Sequence, residues 1–297
     1  MPAFRDIMVV LDDTVRSEIR LAAAIQLAQF HDAHLIGVSA LSLLCRPKPV
    51  RFALGYSELP LSPSHFLSRT DPAMAGRSDE AASVGERSER LEAQFRRLLR
   101  SHGLRGDWRL ANGKLIEAFV CTARHADLVI VGQNDPTHPY RRADRQLVHD
   151  ILMGAGRPIL VIPYAGKFAS VGTRVLIGWN GSRVAARAVN DALPLLAAAT
   201  SVTILEAYSM GGMPTNRDAN VDNLRTHLAH HGIEAETSRT VMAGISPTDA
   251  LLSYATDISA DLLVVGGQGH SSARNFMFGG VTRGLLNEMT LPVLMSH

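Results

Sequence analysis

Only two cysteines, Cys45 and Cys121, occur in the 297 residues. They stand in dissimilar contexts and build no disulfide framework, which is the usage of a reducing compartment. An excess of charge of one sign is missing as well. A formal net charge of +2 makes no case for nucleic acid as the main partner. No apolar run approaches the length of a membrane span. The opening MPAFRDIMVVLDD reaches Asp12 too soon for the apolar core of a secretory signal. A cytoplasmic protein with neither a membrane nor a nucleic-acid partner is therefore expected.

Catalytic motifs are equally scarce. No Walker A loop with its lysine is present, which argues against P-loop hydrolysis. No G-x-S-x-G elbow marks a serine nucleophile. Cys121 has no recognisable activating base and reads as a core residue. His227, His230 and His231 fall at i, i+3 and i+4 on a helical stretch, but no cysteine or second cluster joins them. They read as a solvated helix face rather than a metal site.

What is present is a hydrophobic fraction of 46%, ample for a real core, in a length that suits two domains. The chain also repeats itself. DLVIVGQN at 127–134 matches DLLVVGGQ at 261–268, and RPILVIP at 157–163 matches LPVLMSH at 291–297. Both pairs stand 134 residues apart. Near the front, IMVVLDDT at 7–14 matches VLIGWNGS at 175–182, 168 residues apart. The chain thus reads as an internal duplication, residues 1–165 and 172–297, whose first copy carries 34 extra residues. These fall near 42–75, a Pro- and Ser-rich stretch that reads as a long loop or lid. Its apolar residues, such as Phe52 and Phe66, suit a docked lid.

Strands and helices alternate in both copies. The first offers strands at Ile7–Leu11, His34–Leu41, Asp107–Leu110, Leu128–Val131 and Ile159–Ile162, with a charged helix over Glu80–His102. In the second, Ser182 can cap a helix that Pro194 would kink or end, Gly232 can stop another, and Ser246-Pro247 can open a third. This alternation implies α/β architecture with parallel sheets covered on both faces. Ligands in such sheets bind at the carboxyl ends of strands, where the strand order reverses.

One such strand end is distinctive. Leu262–Val265 runs into Gly266, then Gly269 after two residues and Gly279 after nine more, before a helical pattern. Glycines let a backbone approach a ligand, and a helix start offers free N–H groups to phosphate. The blander reading is a tight strand-to-helix connection. Gly267-x-Gly269 lacks the third glycine of a dinucleotide fingerprint, since Ser272 stands there. The first copy keeps Gly132 but has Asp135 at the second glycine and Arg145-Gln146 at the terminal pair. Arg141, Arg142 and Arg145 could attract an anion there, although a solvated loop or a subunit contact is the plainer reading.

Both halves, apart from the 42–75 insert, resemble the universal stress protein family in its tandem two-domain form. The resemblance rests on the G-x2-G-x9-G spacing of Gly266, Gly269 and Gly279. It implies two doubly wound, Rossmann-like, five-stranded parallel sheets of strand order 3-2-1-4-5. It also implies pairing of the two halves through their last strands as an internal pseudo-dimer, with a homodimer left open. By position, Gly178, Trp179 and Asn180 would meet the nucleoside of ATP or a related adenine nucleotide, with or without Mg²⁺. Ala207 would line the adenine pocket. Val265, Gly266, Gln268 and Gly269 would hold ribose and phosphates, and Gly279, Gly280, Val281 and Thr282 the phosphate at the helix start. Trp179 would either stack on the base or cover the sheet. Two positions depart from the family: Asn180 stands in place of an acid, and Gly280 in place of Ser or Thr. The lost hydroxyl contact is worth roughly 1 kcal/mol. Asp12 keeps the acid in the first half. The function implied is a stress or signalling nucleotide sensor without fast catalysis, read by an unknown protein partner. The alternatives are a scaffold that binds no nucleotide tightly and a slow ATPase.

Overall fold

The computed structural model describes residues 3–39, 72–110, 115–133, 141–209, 218–242, 244–267 and 280–297. In chain order these form β1 (Asp6–Leu11), α1 (Val15–His31), β2 (His34–Ser39), α2 (Pro72–Ser101), β3 (Gly106–Leu110), α3 (Leu115–Ala123), β4 (Leu128–Gly132), α4 (Arg141–Gly154) and β5 (Ile159–Ile162). The same succession follows as β6 (Arg174–Trp179), α5 (Arg183–Leu196), β7 (Ser201–Ser209), α6 (Asp218–His230), β8 (Ala235–Met242), α7 (Pro247–Asp257), β9 (Leu262–Gly266), α8 (Gly280–Glu288) and β10 (Val293–Ser296).

All ten strands join one sheet in the order β3-β2-β1-β4-β5-β10-β9-β6-β7-β8. Within each set of five the order is 3-2-1-4-5 and every pairing is parallel. The sets meet in the one antiparallel pair, with Val293 opposite Val161, Leu294 opposite Leu160 and Met295 opposite Ile159. The pairing of last strands expected from the resemblance is thus present.

Central strands read as unbroken apolar runs because both faces are covered. Side chains alternate between the faces. Ile7 and Val9 of β1 enter one core layer with Ile177 of β6, Leu21 of α1 and Ala188 of α5. Met8 enters the other with Leu176, Leu152 of α4 and Leu285 of α8. Each layer runs through both sets of strands, so the two halves share their cores. The outer strands β3 and β8 keep polar, largely exposed faces, Arg109 and Arg239 among them, which discourages further edge pairing.

The repeated Asp-Leu before β4 and β9 has a structural reason. Asp127 Oδ2 accepts the backbone N–H groups of Arg5 (2.7 Å) and Asp6 (3.1 Å). Asp261 accepts those of Gly172, Thr173 and Arg174 (3.2, 3.1 and 2.8 Å), together with Ser170 Oγ at 2.6 Å. Each carboxylate fastens the start of the neighbouring strand. Asp261→Ala removes one acceptor from four donors and is expected to destabilise by about 1–3 kcal/mol. Asp127→Ala, with two donors, should cost less; urea midpoints of the two variants give the comparison.

The helix-end signals fall where the sequence placed them. Ser182 Oγ accepts Ala185 N–H at 3.2 Å. Gly232 follows α6 at φ +75°. Ser246 accepts Asp249 N–H at 3.1 Å, with Pro247 opening α7. Pro194 does not end its helix: α5 continues past it to Leu196. The long helix α2 starts at Pro72 rather than Glu80, so its first turn takes the last residues of the expected insert. Proline suits a first helical turn. Residues 42–71, with Phe52, Leu54, Leu59, Leu61 and Phe66, lie outside the described residues. Among the described residues, no helix is long and apolar enough to cross a membrane.

Candidate functional site

In the second half, β6 and β9 stay paired as far as Ile177 and Val264. β6 remains paired with β7 on its other side up to Trp179, opposite Glu206. The strand order reverses between β7-β6 and β9-β10, and sheets of this kind hold their ligand crevice at such a point, outside the carboxyl ends of the strands. Gly178, Trp179 and Asn180 stand at the carboxyl end of β6, Val265 and Gly266 at that of β9. α8 begins with Gly280, Val281 and Thr282. Gln268, Gly269 and Gly279 lie outside the described residues. Ala207 extends β7 in register with Thr240.

The glycines here do different work. A Cβ on Gly266 would meet Ala185 N and Val184 C, backbone atoms of α5, at 2.7 Å. One on Gly267 would meet Leu152 Cδ2 of α4 at 2.9 Å, and one on Gly178 would meet Val265 Cγ1 at 2.9 Å. Gly266 is demanded by packing against backbone, whereas at Gly267 and Gly178 the nearest atoms are side-chain ends that can shift. Around Gly280 nothing among the described residues lies within 4 Å of a Cβ, so packing against them gives no reason for glycine there.

Two carried-over roles look different once placed. The indole of Trp179 is 8% exposed and belongs to the core layer under α1 and α5, so it covers the sheet. Its Nε1 has no hydrogen-bond partner among the described residues. Asn180 uses its amide oxygen to accept Ser182 N–H at 3.1 Å, which holds the turn. That oxygen keeps a second lone pair for a ligand hydroxyl. Val265 is buried, Val281 half-buried, and Thr282 buried at 2% exposure.

The first half builds its crevice otherwise, through a residue the sequence reading passed over. Arg20 of α1 is 7% exposed. Its Nε donates to Val10 O at 3.0 Å, and its Nη2 donates to Asp12 Oδ2 at 2.5 Å and Ser17 Oγ at 3.3 Å. Its Nη1 lies over Gly132, where any Cβ would collide with it. Burial pushes the Asp12 carboxyl up, but the Arg20 charge and the hydrogen bonds from Thr14 and Arg20 outweigh it and hold the group below its ordinary value. The signal was available: Ser17, Arg20, Ala24 and Leu27 form one buried helical stripe, and a charge within it requires a buried partner.

Gln133 was also passed over. Its Nε2 donates to Leu286 O of α8 at 3.2 Å, and its Oε1 accepts Tyr164 N–H at 3.0 Å, tying the root of the first loop to the second half. Glu206, a buried carboxylate at 5% exposure, stands in β7 opposite Trp179. A cavity of about 330 Å³ lies between the start of α1 and α2, with Asp13, Glu18, Arg87 and Gln94 in its lining. Arg87 Nε donates to Asp13 Oδ2 at 2.6 Å across it. Among the described residues no three His, Cys, Asp or Glu side chains converge as a metal set. His227 and His231 meet edge to face at 4.8 Å, and Cys121 is exposed rather than in the core. It stands at a position of α3 that turns to solvent. The side chains of Arg141, Arg142 and Arg145 lie outside the described residues.

Comparison with known proteins agrees with this architecture. Residues 173–297 match the model of the universal stress protein family. The universal stress protein Slr1230 of a Synechocystis strain is 26% identical over 173 residues, a span of 57% of this chain and 57% of that protein. The chain therefore matches little more than half the length of that curated relative. A universal stress protein from Archaeoglobus fulgidus superposes with a TM-score of 0.69 at 13% identity, covering 98% of this chain and 95% of that one. A putative universal stress protein from Pseudomonas aeruginosa does so at 0.57 and 16% identity, covering 99% and 93%. At such identities the solved structures speak for the fold, and the family match speaks for the second half. Residues 173–297 form a domain of the universal stress protein family.

Proposed function

We propose that the protein is a tandem universal stress protein that binds one adenine nucleotide, ATP or a close relative, in the crevice of its second half. It acts as a stress or signalling sensor without fast catalysis. The observation that carries the reading is Gly280. It opens α8, the helix that follows β9, and among the described residues no neighbour accounts for the absence of its side chain. A helix start that follows a strand at a switch point is a place for phosphate. In this reading Gly178 and the Asn180 turn take the nucleoside, with Ala207 beside it. Val265, Gly266, Gln268 and Gly269 take ribose and phosphate, and Gly279 to Thr282 the phosphate end.

Gly280→Asp tests it. The new carboxylate meets no steric obstacle and suits a helix N-terminus, so thermal stability should hold or rise slightly. The same charge repels phosphate, so ATP affinity measured by calorimetry should fall at least about tenfold, which is about 1.4 kcal/mol. Wild-type protein should take close to one ATP per chain. Folded wild type that gives no heat, and releases no nucleotide on denaturation, would sink the reading. The competing reading, a scaffold acting through protein contacts, is favoured by one observation, the Arg20-filled crevice of the first half.

A further inference from the structure

We infer that Arg20 is the residue that closes the first half to nucleosides, so that the chain carries one site rather than two; this rests on the nucleotide reading above. The two crevices differ by a coordinated exchange of three positions. Asp12, Ser17 and Arg20 of the first half correspond, at the separation of 168, to Asn180, Ala185 and Ala188 of the second. The first three are one hydrogen-bonded unit: Arg20 Nη2 reaches Asp12 Oδ2 and Ser17 Oγ. The other three contain no charge. Removing any one member of the first set would strand the others, and in the second half all three are different.

The geometry shows what the unit does. In the second half α5 rests its own backbone on Gly266, with Ala185 N 2.7 Å from the glycine's would-be Cβ. In the first half Arg20 stands between α1 and Gly132 instead. β1 and β4 pair only as far as Val9 and Ile130. The next carbonyl, that of Val10, is taken by Arg20 Nε at 3.0 Å. The guanidinium therefore lies between Val10 of β1 and Gly132 of β4 and engages the Asp12 carboxylate, the group that in the nucleotide reading would accept from a ribose. The first half carries its own cation where the second has the small, uncharged Ala188.

The test uses adenosine, which needs the nucleoside turn and not the phosphate loop. The triple variant Asp12→Asn, Ser17→Ala, Arg20→Ala gives the first half the residues of the second and leaves no unpaired charge. Equilibrium dialysis should count one adenosine per wild-type chain and two per triple-variant chain. A folded triple variant that still binds one overturns the inference and leaves the nucleotide reading standing. No binding to wild type but one adenosine per triple variant overturns the second-half site and keeps the inference; no binding to either overturns both. The reverse exchange, Asn180→Asp, Ala185→Ser, Ala188→Arg, covers the case in which the triple variant does not fold. It should abolish binding, and retained binding by the folded reverse variant overturns the inference.

Discussion

Arg20→Ala is expected to cost the protein about 3–5 kcal/mol, the usual penalty for leaving one member of a buried ion pair without the other. Asp12 would remain in a site where its side chain is 14% exposed. Among the described residues its carboxylate would keep only the hydrogen bonds donated by the Thr14 N–H and hydroxyl, while its backbone N–H still donates to Ser17 Oγ. Val10 O would lose its donor as well. Adding Asp12→Asn should return much of the loss, because an amide is far cheaper to bury than an unpaired carboxylate. The acid dependence has a definite sign. Asp12 is held below its reference value of 3.8, so the stability it contributes is complete above that pH and lost as pH falls through the lower folded value. The gap between wild type and Arg20→Ala should therefore be wide at pH 7 and close in strong acid. Urea unfolding at a series of pH values reads it directly; a gap that stayed constant would mean that the ion pair is not its source.

That ion pair also marks where the sequence stops being readable. Strands such as Ile159–Ile162 were legible because a strand buried on both faces is an uninterrupted apolar run. The caps at Ser182 and Ser246 were legible because one side chain closes one turn. Strand order was not available from periodicity; it came with the family resemblance, since the same runs could be laid side by side in other orders. Repetition identified DLVIVG and DLLVVG as equivalent but could not say why each begins with aspartate. The reason is three-dimensional: the carboxylates fasten amides more than 80 positions away in the chain. The start of α2 was misplaced by eight residues because Gly76 and Ser78 weaken helical preference locally, while Pro72 and the alanines that follow begin the helix. In the crevice, type and position were legible for Gly178, Asn180 and Gly266. Orientation was not, and orientation is what takes the Trp179 indole into the core and turns the Asn180 amide onto its own turn.

Gly266→Ala is the second substitution with a large expected effect, about 1–3 kcal/mol and towards the upper end, in protein free of any nucleotide. The glycine is the first of the signature spacing, and a ligand-based account would have the substitution affect binding alone. Its surroundings say otherwise. The added methyl would sit 2.7 Å from Ala185 N and Val184 C. Both are backbone atoms in the first turn of α5, and neither can swing aside as a side-chain tip can. Relief requires the whole helix to lift from β9, and α5 is anchored by Ala185, Ala188, Val189 and Ala192 in the shared core layer. Over-packing of this kind costs energy whether or not a ligand is present. Thermal unfolding without nucleotide, set beside Gly280→Asp, separates the two origins of a glycine in this signature. Gly266→Ala should lower the melting temperature and Gly280→Asp should not, while only the latter leaves the protein intact and weakens ATP. If Gly266→Ala melted with wild type, α5 would not be seated on β9 as described, and the first glycine would belong to the ligand after all.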